Sequence, residues 1–144
     1  MSLYVEGFLV ALKGLPITLS VSFFSLVIGV LLGLVLALMR TSENKPLKII
    51  SGIYIEIVRG TPLIVQALVL AYGIPYFLQQ HNVDFKWSVL LIPAFIVCGL
   101  NSAAYMAEVI RGGIQAVDKG QREAALSIGM TKAQVNRLIV LPQA

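Results

Sequence analysis

Charged residues are scarce in this sequence. Only 12% of its 144 residues are Asp, Glu, Lys or Arg, against roughly a quarter in soluble domains. Hydrophobic residues make up 58% of the chain, and the mean hydropathy is +0.87. Because this composition cannot cover a globular domain with polar surface, it argues against a water-soluble class and predicts a membrane protein.

The residue types that build many reactive centres are scarce as well. The chain has one cysteine, Cys98, and one histidine, His81, so it cannot form an internal disulfide and offers no His/Cys cluster. The nucleotide-binding pattern G-x-x-x-x-G-K-S/T does not occur in it. We therefore predict no catalytic residue, no metal site and no ATPase site within this sequence.

Long apolar stretches predict three membrane-spanning helices. A helix needs about 20 apolar residues to cross the hydrocarbon layer of a bilayer. No charge occurs in residues 15–39 or in residues 87–106. We predict spans at 15–39, 52–78 and 87–111, followed by a segment at 112–144 that does not cross the membrane. The predicted fold class is an all-α polytopic membrane protein that forms one domain.

The second predicted span is interrupted. Glu56 and Arg59 lie inside its apolar stretch and are followed by Gly60-Thr61-Pro62. Thr61 is a suitable helix N-cap, and Pro62 suits the first helical position. The sequence leaves two alternatives open here, a kink in one continuous helix near 60–62 or a helix that starts at that point.

Lysine and arginine are distributed unevenly between the two ends of these spans. Two of them, Lys13 and Lys86, fall on one predicted side. Eight fall on the other side, namely Arg40, Lys45, Lys48, Arg111, Lys119, Arg122, Lys132 and Arg137. Because cytoplasmic loops carry the excess of these residues, we predict that the N-terminus lies outside and that residues 112–144 are cytoplasmic.

Small and polar residues recur at helical spacing within the spans. In the first span they are Thr18, Ser22, Ser25, Gly29 and Gly33, a pattern typical of close helix packing in lipid. The third span has Asn101, Tyr105 and Glu108 on one face, and the second span has Gln66; these four are candidates for lining a translocation path. Glu108 has an alternative role as the ion-pair partner of Arg111, and Asn101 has an alternative role in hydrogen bonding between helices. For the small-residue face of the first span, the alternative to helix packing is lining of the path.

The last part of the chain predicts two short helices joined by a glycine. Glu123 is expected in the first turn of a helix that begins near Gln121. Gly129 can adopt the left-handed conformation that ends such a helix. Thr131 and Gln134 then form a T-x-x-Q capping box for a second helix, which Pro142 is expected to end. A DNA-binding helix-turn-helix is disfavoured because no soluble core surrounds these helices, so no nucleic-acid partner is predicted.

The same segment carries a longer spaced pattern. Glu123-Ala124-Ala125, three residues, Gly129, nine residues, Ile139, one residue and Leu141-Pro142 read as E-A-A-x3-G-x9-I-x-L-P. This pattern resembles the signature of the permease subunits of binding-protein-dependent ABC importers. The stretches at 56–66 and 105–125 resemble the polar amino-acid family of these permeases, whose substrates are histidine, glutamine, glutamate, arginine and opines.

The resemblance implies a role for each part of the signature. It implies a coupling helix that contacts a cytoplasmic ATPase subunit, which would hold the ATP and Mg²⁺. The implied coupling residues are Glu123, Ala124, Ala125, Gly129, Ile139, Leu141 and Pro142. No cofactor is implied in the chain itself.

The resemblance also implies partners and a location. The partners are a second permease subunit, an extracytoplasmic solute-binding protein and an amino-acid substrate, and the location is the bacterial inner membrane. Such permeases commonly have about five spans, so the chain is expected to be truncated at its C-terminus. A secondary transporter or channel fragment driven by an ion gradient is the main alternative, and a membrane scaffold is a third.

Overall fold

The computed structural model describes residues 3–144, with side chains from residue 4 onward. Within this part of the chain the regular structure is helical, and no β-strand occurs. Three helical runs are long and apolar enough to cross a membrane, Tyr4–Thr41, Leu63–Gln80 and Leu91–Ala116. These runs confirm the predicted fold class of an all-α polytopic membrane protein with three spans.

The first helix, α1, extends further than the apolar stretch that predicted it. It runs over Leu3–Thr41, 39 residues, and therefore begins well before the predicted span at 15–39. At 1.5 Å per residue it is about 58 Å long, against roughly 30 Å for the hydrocarbon layer. Pro16 lies inside α1 without ending it. The helix therefore continues beyond the stretch that is uncharged.

The second predicted span, at 52–78, is divided in the structure. Helix α2 covers Lys45–Gly60, and helix α3 covers Leu63–Leu68. A π-helical turn over Val69–Gly73 joins α3 to helix α4, Ile74–Gln80. The apolar run that can cross a membrane is the one from α3 to α4, and α2 precedes it.

Pro62 causes the break between α2 and α3. A residue before proline is driven out of the helical region, and Thr61 is accordingly extended at φ −114° and ψ 139°. The prediction of Thr61 as an N-cap is wrong, because Pro62 takes that position and no side chain caps α3. The Thr61 hydroxyl instead donates to the Ile57 carbonyl at 2.9 Å, within the last turn of α2.

The third long helix, α5, covers Leu91–Ala116 and is displaced from the predicted span at 87–111. Residues 87–90 are not helical, and Pro93 lies in the first turn, where a missing N–H costs nothing. Trp87 has a different role, since its Nε1 donates to the Leu70 carbonyl in the π-helical turn at 2.9 Å. At its other end α5 continues into the segment at 112–144 that was predicted not to cross the membrane.

The remaining elements are short. They are α6 over Lys119–Ser127, α7 over Lys132–Val135, a second π-helical turn over Asn136–Val140 and α8 over Leu141–Gln143. The prediction that Pro142 ends the second helix is wrong, because the helical run continues to Gln143. Pro142 is tolerated in the first turn of α8, where its missing N–H is not needed.

Helices α1 and α5 approach each other through residues with little or no side chain. A Cβ on Gly29 would lie 2.8 Å from the Ser102 Cβ, and a Cβ on Gly33 would lie 2.7 Å from the Met106 Cβ. On the α5 side Ala103 and Ala107 are fully buried. Small residues allow two backbones to come close within lipid, and here they bring the two longest helices together.

Much of the apolar surface of the spans is not covered by the chain. Only 22% of the most apolar window of α1 is buried, and the corresponding fractions are 6% for the run from α3 to α4 and 33% for α5. Large side chains such as Phe23 and Leu31 are more than half exposed. In a membrane protein this surface is available to lipid or to other protein helices.

We predict that adding a methyl group at the α1–α5 contact destabilises the fold. Gly29→Ala and Gly33→Ala each force the facing backbone apart, so each should lower the free energy of unfolding by about 1–3 kcal/mol. Gly14→Ala is the control in the same helix, since a Cβ there meets nothing within 4 Å. SDS titration of the protein in detergent micelles, followed by circular dichroism, measures the difference. An equal effect of all three substitutions would contradict this packing.

Candidate functional site

The first half of the E-A-A signature lies on α6. Asp118 caps this helix, and its carboxylate accepts from the Gly120 N–H at 2.7 Å. Glu123 and Ala124 are exposed, whereas Ala125 is only 6% exposed. The prediction of Glu123 in the first turn is wrong, because α6 begins at Lys119 and places Glu123 one turn later. Glu123 and Ala124 therefore form the outward surface of α6, and Ala125 attaches it to the rest of the chain.

Gly129 ends α6 in the conformation that the sequence predicts. Its φ is +87°, a value that side-chain-bearing residues rarely adopt. The Gly129 N–H donates to the Leu126 carbonyl at 3.0 Å, and the Met130 N–H donates to the Ala125 carbonyl at 3.2 Å. These two bonds form a Schellman motif, and the packing of Met130 on the cluster that includes Ala125 completes it.

The capping box after the glycine is present as predicted. The Thr131 hydroxyl accepts from the Gln134 N–H at 3.3 Å, and the Thr131 N–H donates to the Gln134 side-chain oxygen at 2.8 Å. Both ends of the turn between α6 and α7 are thus fixed by hydrogen bonds. These bonds therefore define where α6 ends and where α7 begins.

The second half of the signature has one partly buried residue and two exposed residues. Ile139 is half-buried and packs on a buried cluster, and its neighbour Val140 is 1% exposed. Leu141 is 41% exposed, and Pro142 is exposed as well. Ile139 therefore contributes to anchoring the segment, and Leu141 and Pro142 offer apolar surface.

A buried apolar cluster joins the signature segment to the end of α5. Its members, which we call the anchor cluster, are Ile114, Val117, Ala125, Val135 and Val140. Ile114 belongs to α5, and the others lie in the segment that follows it. These side chains are almost fully removed from solvent. Separating α6 from α5 would expose them to water, at a free-energy cost of about 25 cal/mol per Å² of apolar surface.

Two polar contacts reinforce this attachment. The Arg122 guanidinium donates to the Ile114 carbonyl at 2.6 Å, between α6 and α5. Lys132 at the start of α7 pairs with Glu43 in the loop between α1 and α2. The Lys132 ammonium hydrogen-bonds to this carboxyl and thereby holds the pKa of Glu43 below its usual value. Both side chains of that pair are largely exposed, so solvent screens the interaction.

The four path candidates do not form one site. The Gln66 amide donates to the Val58 carbonyl at 2.8 Å and to the Thr61 hydroxyl at 2.7 Å, so it bridges the break between α2 and α3. Asn101 is half-buried and lines a cavity of about 460 Å³. The cavity is also lined by Ser25, whose buried hydroxyl has no hydrogen-bond partner.

Tyr105 and Glu108 lie together with two arginines instead. The Glu108 carboxylate accepts two hydrogen bonds from Arg111, at 2.9 and 2.7 Å, so the pair suggested by the spacing is present. Arg59 approaches the same carboxylate at 3.5 Å and lies 5.4 Å from the centre of the Tyr105 ring. Glu108 is thus held between two guanidinium groups.

Sequence reasoning missed Arg59 and Ser25 as neighbours of these candidates. Arg59 lies on α2, far along the chain from Glu108 on α5, and no local pattern relates the two. Ser25 was recognised as part of a small-residue face of the first span, but its shared cavity with Asn101 depends on how α1 meets α5. The contacts of Arg59 with Glu108 and of Ser25 with the Asn101 cavity therefore become visible only in the tertiary structure.

Relatives of the chain have names that describe transport of amino acids and related compounds. It is 41% identical over 133 residues to the arginine transport system permease protein ArtQ of Bacillus subtilis (strain 168), a match that covers 92% of this chain and 58% of ArtQ. It is 40% identical over 143 residues to the nopaline transport system permease protein NocM of Agrobacterium fabrum (strain C58 / ATCC 33970), covering 97% of this chain and 59% of NocM. The chain thus spans somewhat more than half the length of these relatives.

A solved structure has the same fold. The crystal structure of an amino acid ABC transporter with histidines contains a chain that is 41% identical to this one and superposes with a TM-score of 0.83. The match covers 99% of this chain and 65% of that one. Residues 29–144 also match the family model described as binding-protein-dependent transport system inner membrane component. The resemblance noted in the sequence is confirmed, and the chain belongs to the family of binding-protein-dependent transport system inner membrane components, the ABC permeases for amino acids among them.

Proposed function

We propose that this chain is part of the membrane-spanning permease of an amino-acid importer in the bacterial cell membrane, driven by ATP hydrolysis in a partner protein. The main support for this proposal is that Glu123 and Ala124 lie on the outward surface of α6. Both are exposed on a helix that is capped at each end and anchored to α5 by buried side chains. If another protein binds this surface and moves, the displacement of α6 is transmitted to the membrane helix α5.

The proposed coupling follows from the anchor cluster. In this account an ATPase subunit contacts α6 at Glu123 and Ala124, and ATP, with Mg²⁺, binds to that subunit rather than to this chain. Closure of the ATPase displaces α6 and, through Ala125 and Ile114, α5 together with it. Coupling between distant sites requires an element whose contacts differ between two states, and α6 meets this requirement when its partner moves.

The other proposed partners follow from the family and its named relatives. We propose an extracytoplasmic solute-binding protein that delivers an amino acid, and a second permease subunit across the translocation path. The uncovered apolar surface of the spans is compatible with such a subunit. In this topology the N-terminus lies outside and residues 112–144 lie in the cytoplasm. A secondary transporter or channel driven by an ion gradient is not consistent with the family to which the chain belongs.

We predict that Glu123→Ala in the assembled importer uncouples uptake from ATP hydrolysis. Loss of a charged contact at the centre of a protein interface costs about 2–5 kcal/mol, so uptake should fall by about tenfold or more. Because Glu123 is exposed, the free energy of unfolding should change by no more than about 0.5 kcal/mol. Gln121→Ala, an exposed position on α6 outside the signature, is the control. The measurement is uptake of radiolabelled amino acid and ATP hydrolysis in the same proteoliposomes.

If Glu123→Ala and Gln121→Ala both retained normal uptake, the assignment of α6 as the coupling helix would be wrong. Parallel loss of uptake in both variants would indicate a general effect on α6 and would also count against a specific role for Glu123.

We predict that Gly129 can be replaced by asparagine more easily than by alanine. Space is not limiting, since a Cβ at Gly129 meets nothing within 4 Å, but its φ of +87° disfavours side chains. Asparagine tolerates the left-handed region, so Gly129→Ala should lower the free energy of unfolding by about 1 kcal/mol more than Gly129→Asn does. Uptake should follow the same order, because the turn sets the angle between α6 and α7. Equal stability of the two variants would show that the left-handed conformation at position 129 does not discriminate between alanine and asparagine.

A further inference from the structure

The ends of four helices surround a cavity of about 450 Å³ that is rich in positive charge. This volume lies within the range of roughly 300–1,000 Å³ typical of ligand sites. The cations that line it come from α1, α2, α5 and α6 and are Arg40, Lys48, Arg111 and Arg122. Glu108 is the one carboxylate in the lining. We call this space the basic cavity.

Arg40 is held in place at the basic cavity by the backbone of α2. Its Nη1 donates to the Lys48 carbonyl at 3.3 Å. A Cβ on Gly52 would collide with the Arg40 guanidinium, so the absence of a side chain at Gly52 makes room for it. The nearest carboxylate, that of Glu56, is 3.5 Å away and is 75% exposed, which leaves it well screened by solvent.

The other cations are poorly neutralised by the chain itself. Within residues 3–144, neither Lys48 nor Arg122 has a carboxylate within 4.0 Å. Arg122 donates to the Ile114 carbonyl, which orients the guanidinium but carries no net charge. The charge of Glu108 is shared by Arg111 and by Arg59. Among the described residues, the four cations of the basic cavity are thus opposed by Glu108, which Arg59 shares, and by the exposed Glu56, and this leaves an excess of positive charge.

We propose that the basic cavity binds the phosphate group of an anionic phospholipid. Planar guanidinium groups bind phosphate oxygens through paired hydrogen bonds, and a lysine adds a point charge. Basic pockets between membrane helices are known to bind anionic headgroups at the end of the spans, which is where this cavity lies. Ile49 and Ile50, the next two residues of α2, are 58% and 60% exposed but lie on other faces of the helix than Lys48, so only the headgroup is assigned to the cavity.

The ligand class is thus a phosphate-bearing anion, and its source is the lipid headgroup rather than free phosphate. The proposal does not rest on the coupling role of α6, because it requires only that the helix ends lie at the membrane surface. A bound lipid would link α1, α2, α5 and α6 through one anion, so its loss should weaken their attachment to one another.

Native mass spectrometry of the full chain tests the proposal. The detergent-solubilised protein is titrated with phosphatidylglycerol, with phosphatidylcholine and, in a separate arm, with inorganic phosphate. We expect one phosphatidylglycerol to bind more tightly than phosphatidylcholine. Each lysine or arginine near an anionic lipid is worth about 1 kcal/mol, so Lys48→Gln should weaken phosphatidylglycerol binding about fivefold. The double variant Lys48→Gln/Arg122→Gln should weaken it about 25-fold.

Arg137→Gln is the matched control, since Arg137 is exposed, carries the same charge and does not line the basic cavity. Its phosphatidylglycerol affinity should stay within about twofold of the unmodified chain. Lys48→Gln alone decides the test if Arg122→Gln disturbs folding, because the Lys48 ammonium makes no hydrogen bond within the described chain that its loss would break. Binding of inorganic phosphate with the same variant dependence, in place of lipid, would overturn the lipid assignment and make the site one for a soluble anion. Equal loss in Lys48→Gln and Arg137→Gln, or equal affinity for the two lipids, would overturn the proposal.

Discussion

The close approach of α1 and α5 determines where the other elements of the structure lie. Without side chains at Gly29 and Gly33, the backbone of α1 can reach Ser102 and Met106 on α5. In lipid no hydrophobic effect drives helices together, so packing of this quality has to supply the association. The pair fixes the position of the C-terminal end of α5, and every element beyond Ala116 is placed relative to that end.

The anchor cluster extends this rigid pair outward. Ile114 on α5 packs with Ala125 on α6 and with Val135 and Val140 further along, so the signature segment is attached to a membrane helix. The two alanines of the signature have opposite orientations, since Ala124 is exposed and Ala125 is buried. A small residue suits both positions, because Ala125 lets α6 come close to α5 and Ala124 would let the proposed ATPase partner come close to α6.

The sequence predicted those features that depend on local patterns. The spans follow from continuous hydrophobicity, and the left-handed Gly129 and the Thr131 capping box follow from residues within a few positions of one another. Helix ends were less well predicted: Pro62, not Thr61, takes the N-cap position of α3, and Pro142 lies inside a helical run. Proline restricts its own φ and its predecessor, but whether a helix resumes after it depends on the surrounding packing.

Contacts between distant parts of the chain could not be predicted from one sequence. The Tyr54 hydroxyl donates to the Leu100 carbonyl at 2.8 Å, and Arg59 reaches Glu108, although nothing in the spacing of these residues relates them. The same holds for the basic cavity, whose cations come from four helices. The excess of lysine and arginine predicts that these charges lie on one side of the membrane. Their convergence on a single cavity follows only from the fold.

In the proposed coupling, α6 and α5 move as one body when the partner ATPase changes state. Spin labels at Ile92 on α5 and Ser127 on α6, with Cys98 replaced, allow their separation to be measured by double electron–electron resonance in the assembled importer. We expect the same distance distribution with and without ATP, because the anchor cluster stays intact. A distribution that shifts with nucleotide would show that α6 moves independently of α5 and that the anchor cluster does not transmit the motion.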